Sequence, residues 1–374
     1  MNARCRLRLF LILIGGCTFC SAPLLAGNWD QSISLPATLE HDSNLPLSTG
    51  SKQGVSRLIV VPAYSLTGTF GIDEFKAGLG LRGERSSDQR VSIDREDPNL
   101  LAGWRRLTDT GEFGLKAKYD EVSSREAELQ ETGGAAPDST RKTWSLGAVW
   151  RSAITALSTL SADADYKTVS YDAGTQTDYK NLAAGITWNY TWSERIEPFL
   201  RFAVSHYDPD KSTATAATSD YYNATVGVKV KATEHLEWTA QGGPGRVSAR
   251  TTDTGWQGSV DMQYRGDRYD ATLNLGRSVT TSGDGGFVAS DRVAGTYGYT
   301  IDERSSLGIS ASWQDNKGNN ASTMQQLGAW ASHEFTPFWH TRLYYQHKLR
   351  TADRQPDASG DVLGITIVYS PRSF

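Results

Sequence analysis

The side chains able to do chemistry are few and scattered along the 374 residues. The six histidines are His41, His206, His235, His333, His340 and His347. None has a short metal-ligand spacing, and His340 and His347, seven apart, fall on opposite faces of a strand. "EHDSN" (40–44) and "HYDPD" (206–210) set a histidine beside acids, as a general base requires, but no nucleophile context accompanies either. "DREDPNL" (94–100) carries oxygen ligands of the kind Ca²⁺ takes and reads more simply as a solvated loop. No P-loop pattern occurs, and "GGPGRVSAR" reads as a bend or bulge at a strand edge. These residues predict no enzyme, no metal and no cofactor. The polar chemistry must therefore lie in how larger elements arrange ordinary side chains.

The chain opens "MNARCRLRLFLILIGGCTFCSAPLLAGNWD". Arg4, Arg6 and Arg8 precede an apolar run that ends at a plausible cleavage point, Ala26, so residues 1–26 read as a secretory signal peptide. All three cysteines (Cys5, Cys17, Cys20) lie within it, leaving residues 27–374 without thiol or disulfide chemistry. Cleavage lowers the basic count from 38 to 35 against 42 acids, a net charge of −7 that gives no global attraction to nucleic acid. Mean hydropathy is −0.45, and no later apolar run approaches the ~20 residues of a spanning helix.

What recurs instead is a period of two. In "NLAAGITWNYTW" (181–192), Leu182, Ala184, Ile186, Trp188, Tyr190 and Trp192 form one face, and small or polar residues form the other. The same alternation recurs to Leu363, Ile365, Ile367 and Tyr369, with no convincing helical period after residue 26. Connections alternate between short ("TDTG", "WSER", "ATEH", "IDER") and long, polar ones ("VSSREAELQETGGAAPDST", "YDPDKSTATAATS"). That rhythm belongs to a transmembrane barrel with short periplasmic turns and longer extracellular loops. Backbone polar groups in hydrocarbon must be paired, so the sheet has to close. The expected fold is all-β, an antiparallel outer-membrane β-barrel of about 18 strands (16 being the alternative), integral to the outer membrane with both termini periplasmic. One strand is expected at 55–67, and the last is expected to stop near Ser370.

The face opposite the apolar one supplies the candidate lumen residues. They are Glu197, Phe199 and Arg201; Lys229; Asp261 and Arg265; and His340, Arg342, Tyr344, Gln346 and Lys348. Acids and bases on neighbouring strands would pair and brace a wet interior. Tyr344, Phe199 and Tyr207 are candidates for stacking on the apolar faces of a sugar.

"EHDSNL", the block "YKTVSYDAGTQTDYKNLAAGITWNYTWSERIEPFLRF" and the turns "WSERIEP", "ATEHLEW" and "IDERSSL" resemble the EpsL-type β-barrel porin 2 group of exopolysaccharide biosynthesis. The terminal Phe374 resembles the signal read by the outer-membrane barrel assembly machinery. The resemblance implies a channel or export component for a secreted polysaccharide, with outer-membrane lipid, the polysaccharide and a periplasmic export protein as partners. The residues leave two other functions open: a general diffusion porin for small hydrophilic solutes, and a structural or adhesive barrel.

Overall fold

The computed structural model describes residues 27–371 apart from 51, 132, 134–136, 212–215, 251, 318–320 and 353–355. The proposed signal peptide, its cysteines and Phe374 lie outside the described residues. The elements, in order, are β1 (Asn28–Asp42), β2 (Val55–Val60), β3 (Ala63–Phe70), β4 (Asp73–Ser86), β5 (Arg95–Thr108), β6 (Gly111–Ser123) and the helix α1 (Ser124–Glu131). Then come β7 (Thr140–Thr155), β8 (Ser158–Tyr171), β9 (Tyr179–Tyr190), β10 (Ile196–Pro209), β11 (Ser219–Lys231), β12 (Leu236–Ser248) and β13 (Thr252–Arg265). β14 (Tyr269–Thr281), β15 (Phe287–Thr300), β16 (Ser305–Asn316), β17 (Ser322–Thr336), β18 (Trp339–Ala352) and β19 (Ala358–Tyr369) complete the chain.

All strands join one antiparallel sheet, and β1 pairs with β19 to close it. The nineteen strands fill eighteen positions. The strand expected at 55–67 is broken in two: β1 pairs with β2 through Ala37–Asp42 and with β3 through Asn28–Ser34. Pro62 is the reason, because it has no N–H to give the ladder. The backbone stays tied around the break, with Val61 N–H donating to the Pro36 carbonyl (2.9 Å) and Leu81 N–H to the Pro62 carbonyl (3.1 Å). The closing seam joins eight aligned residue pairs, whereas β17 and β18 align fourteen.

Cross-strand partners share a face, so the register shows where each side chain points. Ala162, Ile186 and Phe202 align on β8, β9 and β10, within the apolar outer set. On this face Leu182, Ile186, Trp188, Leu200 and Phe202 are exposed, as lipid contact requires of a barrel exterior. The interior is polar, and its buried residues gather at the end where β1, β4, β6 and β8 finish. In the outer-membrane arrangement that end, carrying the longer loops, is extracellular. Two sequence readings are corrected here. "DREDPNL" is not a solvated loop: Arg95 and Asp97 are inward on β5 and pair at 2.7 Å, almost wholly buried. The link after β6, read as structureless, contains α1.

Candidate functional site

Ser124–Glu131 ("SREAELQE") is built of good helix formers, with Glu126 in the first turn, where an acid complements the helix dipole. A helix of eight residues is marginal alone, so its side-chain anchors hold it. Glu126 takes hydrogen bonds from Arg57 and Arg82, both at 3.0 Å. The buried Glu128 carboxylate accepts from the Tyr171 hydroxyl (2.8 Å), the Ser282 hydroxyl (3.2 Å) and Gly283 N–H (3.4 Å). Arg141 grips Glu131 with both guanidinium ends (2.8 and 2.6 Å). Leu129 packs on the buried Leu47, Met324 and Ala358. Just beyond the helix, Gly133 turns the chain at φ +73°, a conformation glycine adopts without strain. Its carbonyl accepts from the Ser322 hydroxyl (3.1 Å), and Gln314 reaches the Glu131 carbonyl (3.4 Å).

These contacts fix the path of the segment. Its roots are β6 and β7, while Gln314 and Ser322 belong to β16 and β17, on the far side of an eighteen-position ring. The helix therefore crosses the lumen near its extracellular end and is tied to both walls.

Around it lies a buried ionic network. Arg57 bonds Glu40 and donates to Glu84 (3.1 Å) as well as Glu126. Glu84 also accepts from Arg82 (2.9 Å) and the Ser92 hydroxyl (2.8 Å). Lys348 meets Asp42 at 2.5 Å. A buried charge is tolerable only when paired, and here neighbouring strands and the helix provide the partners. Burial pushes the Glu128 carboxyl above its ordinary value of 4.5, against the Tyr171 bond and the charge of Arg141. Burial acts on Glu131 in the same direction, but the Arg141 fork outweighs it and holds that carboxyl below 4.5.

Nearer the periplasmic end the interior opens. Three registers align Lys76 with Gly103, Gly103 with Lys116, and Lys116 with Gly147; Gly147 then aligns with Asp165. Charges on alternate strands are thus separated by glycines, and with Leu101, Arg105 and Val149 they line a recess of ≈ 540 Å³. Arg201 reaches across β9 to grip Asp163 (2.7 and 2.9 Å), passing directly over Gly185. A Cβ at Gly185 would stand 2.4 Å from the Arg201 guanidinium, so the bridge needs glycine beneath it.

The other sequence-predicted residues are placed as follows. Glu197 pairs with Lys229 (3.0 Å), whose ammonium lies over the Phe199 ring (5.7 Å). Asp261 accepts from Ser259 (3.1 Å) and bonds Asn274. Arg342 covers the Trp330 ring at 4.4 Å, Tyr344 donates to Glu40 (2.6 Å), and Gln346 donates to Gln326 (2.9 Å). Arg265 aligns with Asp270 and His340 with Glu334, both near the short turns. The structure does not gather these residues into one cluster: Glu197, Phe199, Arg201 and Lys229 are on β10 and β11, Asp261 and Arg265 on β13, and the rest on β18. The expected stacking platforms are corrected. Tyr207 is wholly buried against Tyr179 (4.9 Å between centroids), and Phe199 is buried beneath Lys229. Neither presents a ring face to a sugar.

Sequence reasoning missed Arg57, Arg82, Glu84, Arg141 and Tyr171 and the helix they hold. Alternation alone would have turned the arginines and Glu84 inward. Only the helix, too short to show a period, gives them a common target.

No family model matches the chain, and no curated protein does. Solved outer-membrane barrels do. OccAB4 of Acinetobacter baumannii has a TM-score of 0.53 at 9% identity, covering 93% of this chain and 98% of that one. OpdO of Pseudomonas aeruginosa has a TM-score of 0.54 at 10% identity, covering 93% and 98%. A structure of Pseudomonas aeruginosa OccK2 (OpdF) in complex with glucuronate has a TM-score of 0.52 at 12% identity, again covering 93% and 98%. At such identities the likeness shows the fold: a closed, antiparallel outer-membrane-type barrel of porin architecture. The resemblance to the exopolysaccharide group gains no support from these comparisons.

Proposed function

We propose that the chain is an outer-membrane porin for small hydrophilic solutes, with the candidates of the open end, Glu197, Arg201, Lys229, Asp261 and Arg265, lining the solute path. The observation that carries this reading is the anchored helix crossing the lumen above an open, charged interior. Such a bar narrows the lumen, and on this reading single sugars or organic acids pass it while a polymer is obstructed. The structurally similar OccK2 barrel holds glucuronate. On this chain Lys116, with the exposed Lys76, Arg105, Lys118 and Lys229 where a solute displaces their partners Glu74, Asp120 and Glu197, would favour a small anionic solute of that kind. Polysaccharide export would require α1 to leave the lumen, breaking its anchors to Arg57, Arg82, Tyr171 and Arg141.

Swelling of proteoliposomes tests the proposal. Monosaccharides and small sugar acids are expected to enter quickly and oligosaccharides slowly, and shortening the 124–139 link is expected to speed the larger solutes. No swelling with any solute would overturn the porin reading. A clean deletion that empties the medium of polysaccharide and fills the periplasm, restored by a plasmid copy, would establish export instead.

A further inference from the structure

The "GGPG" stretch is not absorbed by the lumen. It lies within β12, where the β11–β12 register aligns Asn223 with Gly245 and Val226 with Gly242 but skips Ala224 and Thr225. Pro244 lacks the N–H that this part of the ladder would use. The outward residues here are small. Ala162, Ala184, Ala224 and Pro244 floor a recess of ≈ 740 Å³, walled by Ile186, Phe202, Val204 and Tyr222. The recess is on the membrane-facing side of the barrel and is overwhelmingly apolar.

Its extracellular end is closed by Arg246, two residues before β12 finishes. Arg246 aligns with Tyr222 on one side and Thr254 on the other, which puts it on the outer face. It is exposed and has no hydrogen-bond or ion-pair partner among the described residues. Its surroundings differ. One row further toward the loops, His206 meets Asp220 at 2.7 Å, and a row beyond that Lys180 approaches Asp210 at 3.6 Å. Two strands away, Arg277 is forked by Asp291 and stacks 4.8 Å from the centre of the exposed Trp256 ring. The neighbouring outward cations on this flank, Lys180 and Arg277, thus have acid partners within the protein, and Arg246 has none among the described residues. Trp256 beside it marks the height of the headgroups, where such rings settle.

We propose that this recess is a binding site for a phosphate-bearing lipid of the outer leaflet, one acyl chain lying along the alanine floor and the phosphate held by the Arg246 guanidinium. A guanidinium fork matches phosphate geometry, and an uncompensated cation at the edge of hydrocarbon calls for an anion. A second copy of the chain is a poorer occupant. Placed face to face, two concave recesses do not fill each other, and two unpartnered arginines would be brought together.

The test is native mass spectrometry of the full barrel in detergent micelles, titrated with phosphatidylglycerol or with phosphatidylcholine of the same chains. The wild type is expected to take its first phosphatidylglycerol at a concentration about tenfold lower than its first phosphatidylcholine, the worth of one charge-assisted contact. Arg246→Gln is expected to abolish that difference, and Arg246→Lys to keep part of it. Ala224→Leu, which fills the floor, is expected to weaken both lipids. Heat-modifiable gel mobility verifies that each variant remains a closed barrel. Equal binding of the two lipids by the wild type, a preference that survives Arg246→Gln, or a dimer mass that excludes lipid would overturn the proposal.

Discussion

The two ends of the lumen are built from the same strands and the same inward faces, yet their charges behave differently. Toward the extracellular end, Arg57, Glu84, Arg95, Asp97 and Lys348 are buried and interlocked. Toward the periplasm, Lys76, Lys116, Asp165 and Lys229 are exposed. The difference is α1 together with the loop residues folded in beside it, among them Leu45, Leu47, Val91, Ser92 and Ser282. These inserted segments remove one end from water and make its ion pairs obligatory, while the other end keeps solvated charges whose pairing contributes little. The barrel wall sets the available charges, and the inserted loop decides which are structural and which remain free to meet a solute.

That contrast can be broken hardest at Arg57. Arg57→Ala leaves Glu40, Glu84 and Glu126 without their shared cation, and breaking such a buried pair costs about 3–5 kcal/mol. The expected result is a large drop in the urea midpoint of unfolding, measured by tryptophan fluorescence. Lys229→Ala, at the open end, should move it by less than about 1 kcal/mol. Equal losses from the two variants would erase the distinction.

Tyr171→Phe removes one bond to the buried Glu128 carboxylate, worth about 1.5–3 kcal/mol for a charged acceptor. The strand remains, so the loss falls on the docking of α1. Faster exchange of the helix amides with deuterium, without faster exchange in β8, is the expected signature.

Gly185→Ala sharpens the other side of the comparison. Its Cβ would displace the Arg201 guanidinium from above β9. Because the displaced atoms end a flexible side chain, the stability cost is at the low end of overpacking, about 1 kcal/mol. The visible effect is expected in planar-bilayer recordings, as an altered anion-to-cation preference with α1 still in place.

The smallest effect is that of pH, because two carboxyls on α1 oppose each other. Glu128 has a raised value, so its protonation strengthens docking as pH falls from neutral toward 4.5. Glu131 has a lowered value, so its contribution is present above 4.5 and is lost as pH falls further. Docking is therefore expected to be tightest near pH 4.5, seen as a minimum in open-state fluctuations of single channels. Glu128→Gln should flatten the neutral side of that minimum and leave the acidic side intact.

The strands were legible because lipid enforces the alternation: every second residue from Leu182 to Trp192 must be apolar or interfacial. The break at Pro62 was visible in the sequence as a proline but not as a split, since β1 continues past it on one side. The helix was illegible for a different reason. "SREAELQE" is too short for a period to emerge, and its acids look like those of any solvated loop until their partners are known. Those partners are scattered between Arg57 and Ser322, and no local pattern joins them. The same holds for Gly103, Gly147 and Gly185, whose role as spaces between charges exists only across strands.

The seam between β1 and β19 sets the mechanics of the ring. It is held by eight aligned pairs, where β17 and β18 share fourteen. Below Leu35, β1 continues along β3 for the seven residues Asn28–Ser34 after β19 has ended at Tyr369. A hoop parts at a short overlap, and this one, equalled by the eight pairs of β13 and β14, yields to sideways strain on the wall before the better-zipped β17–β18 junction. The protruding length of β1 is where that parting would begin.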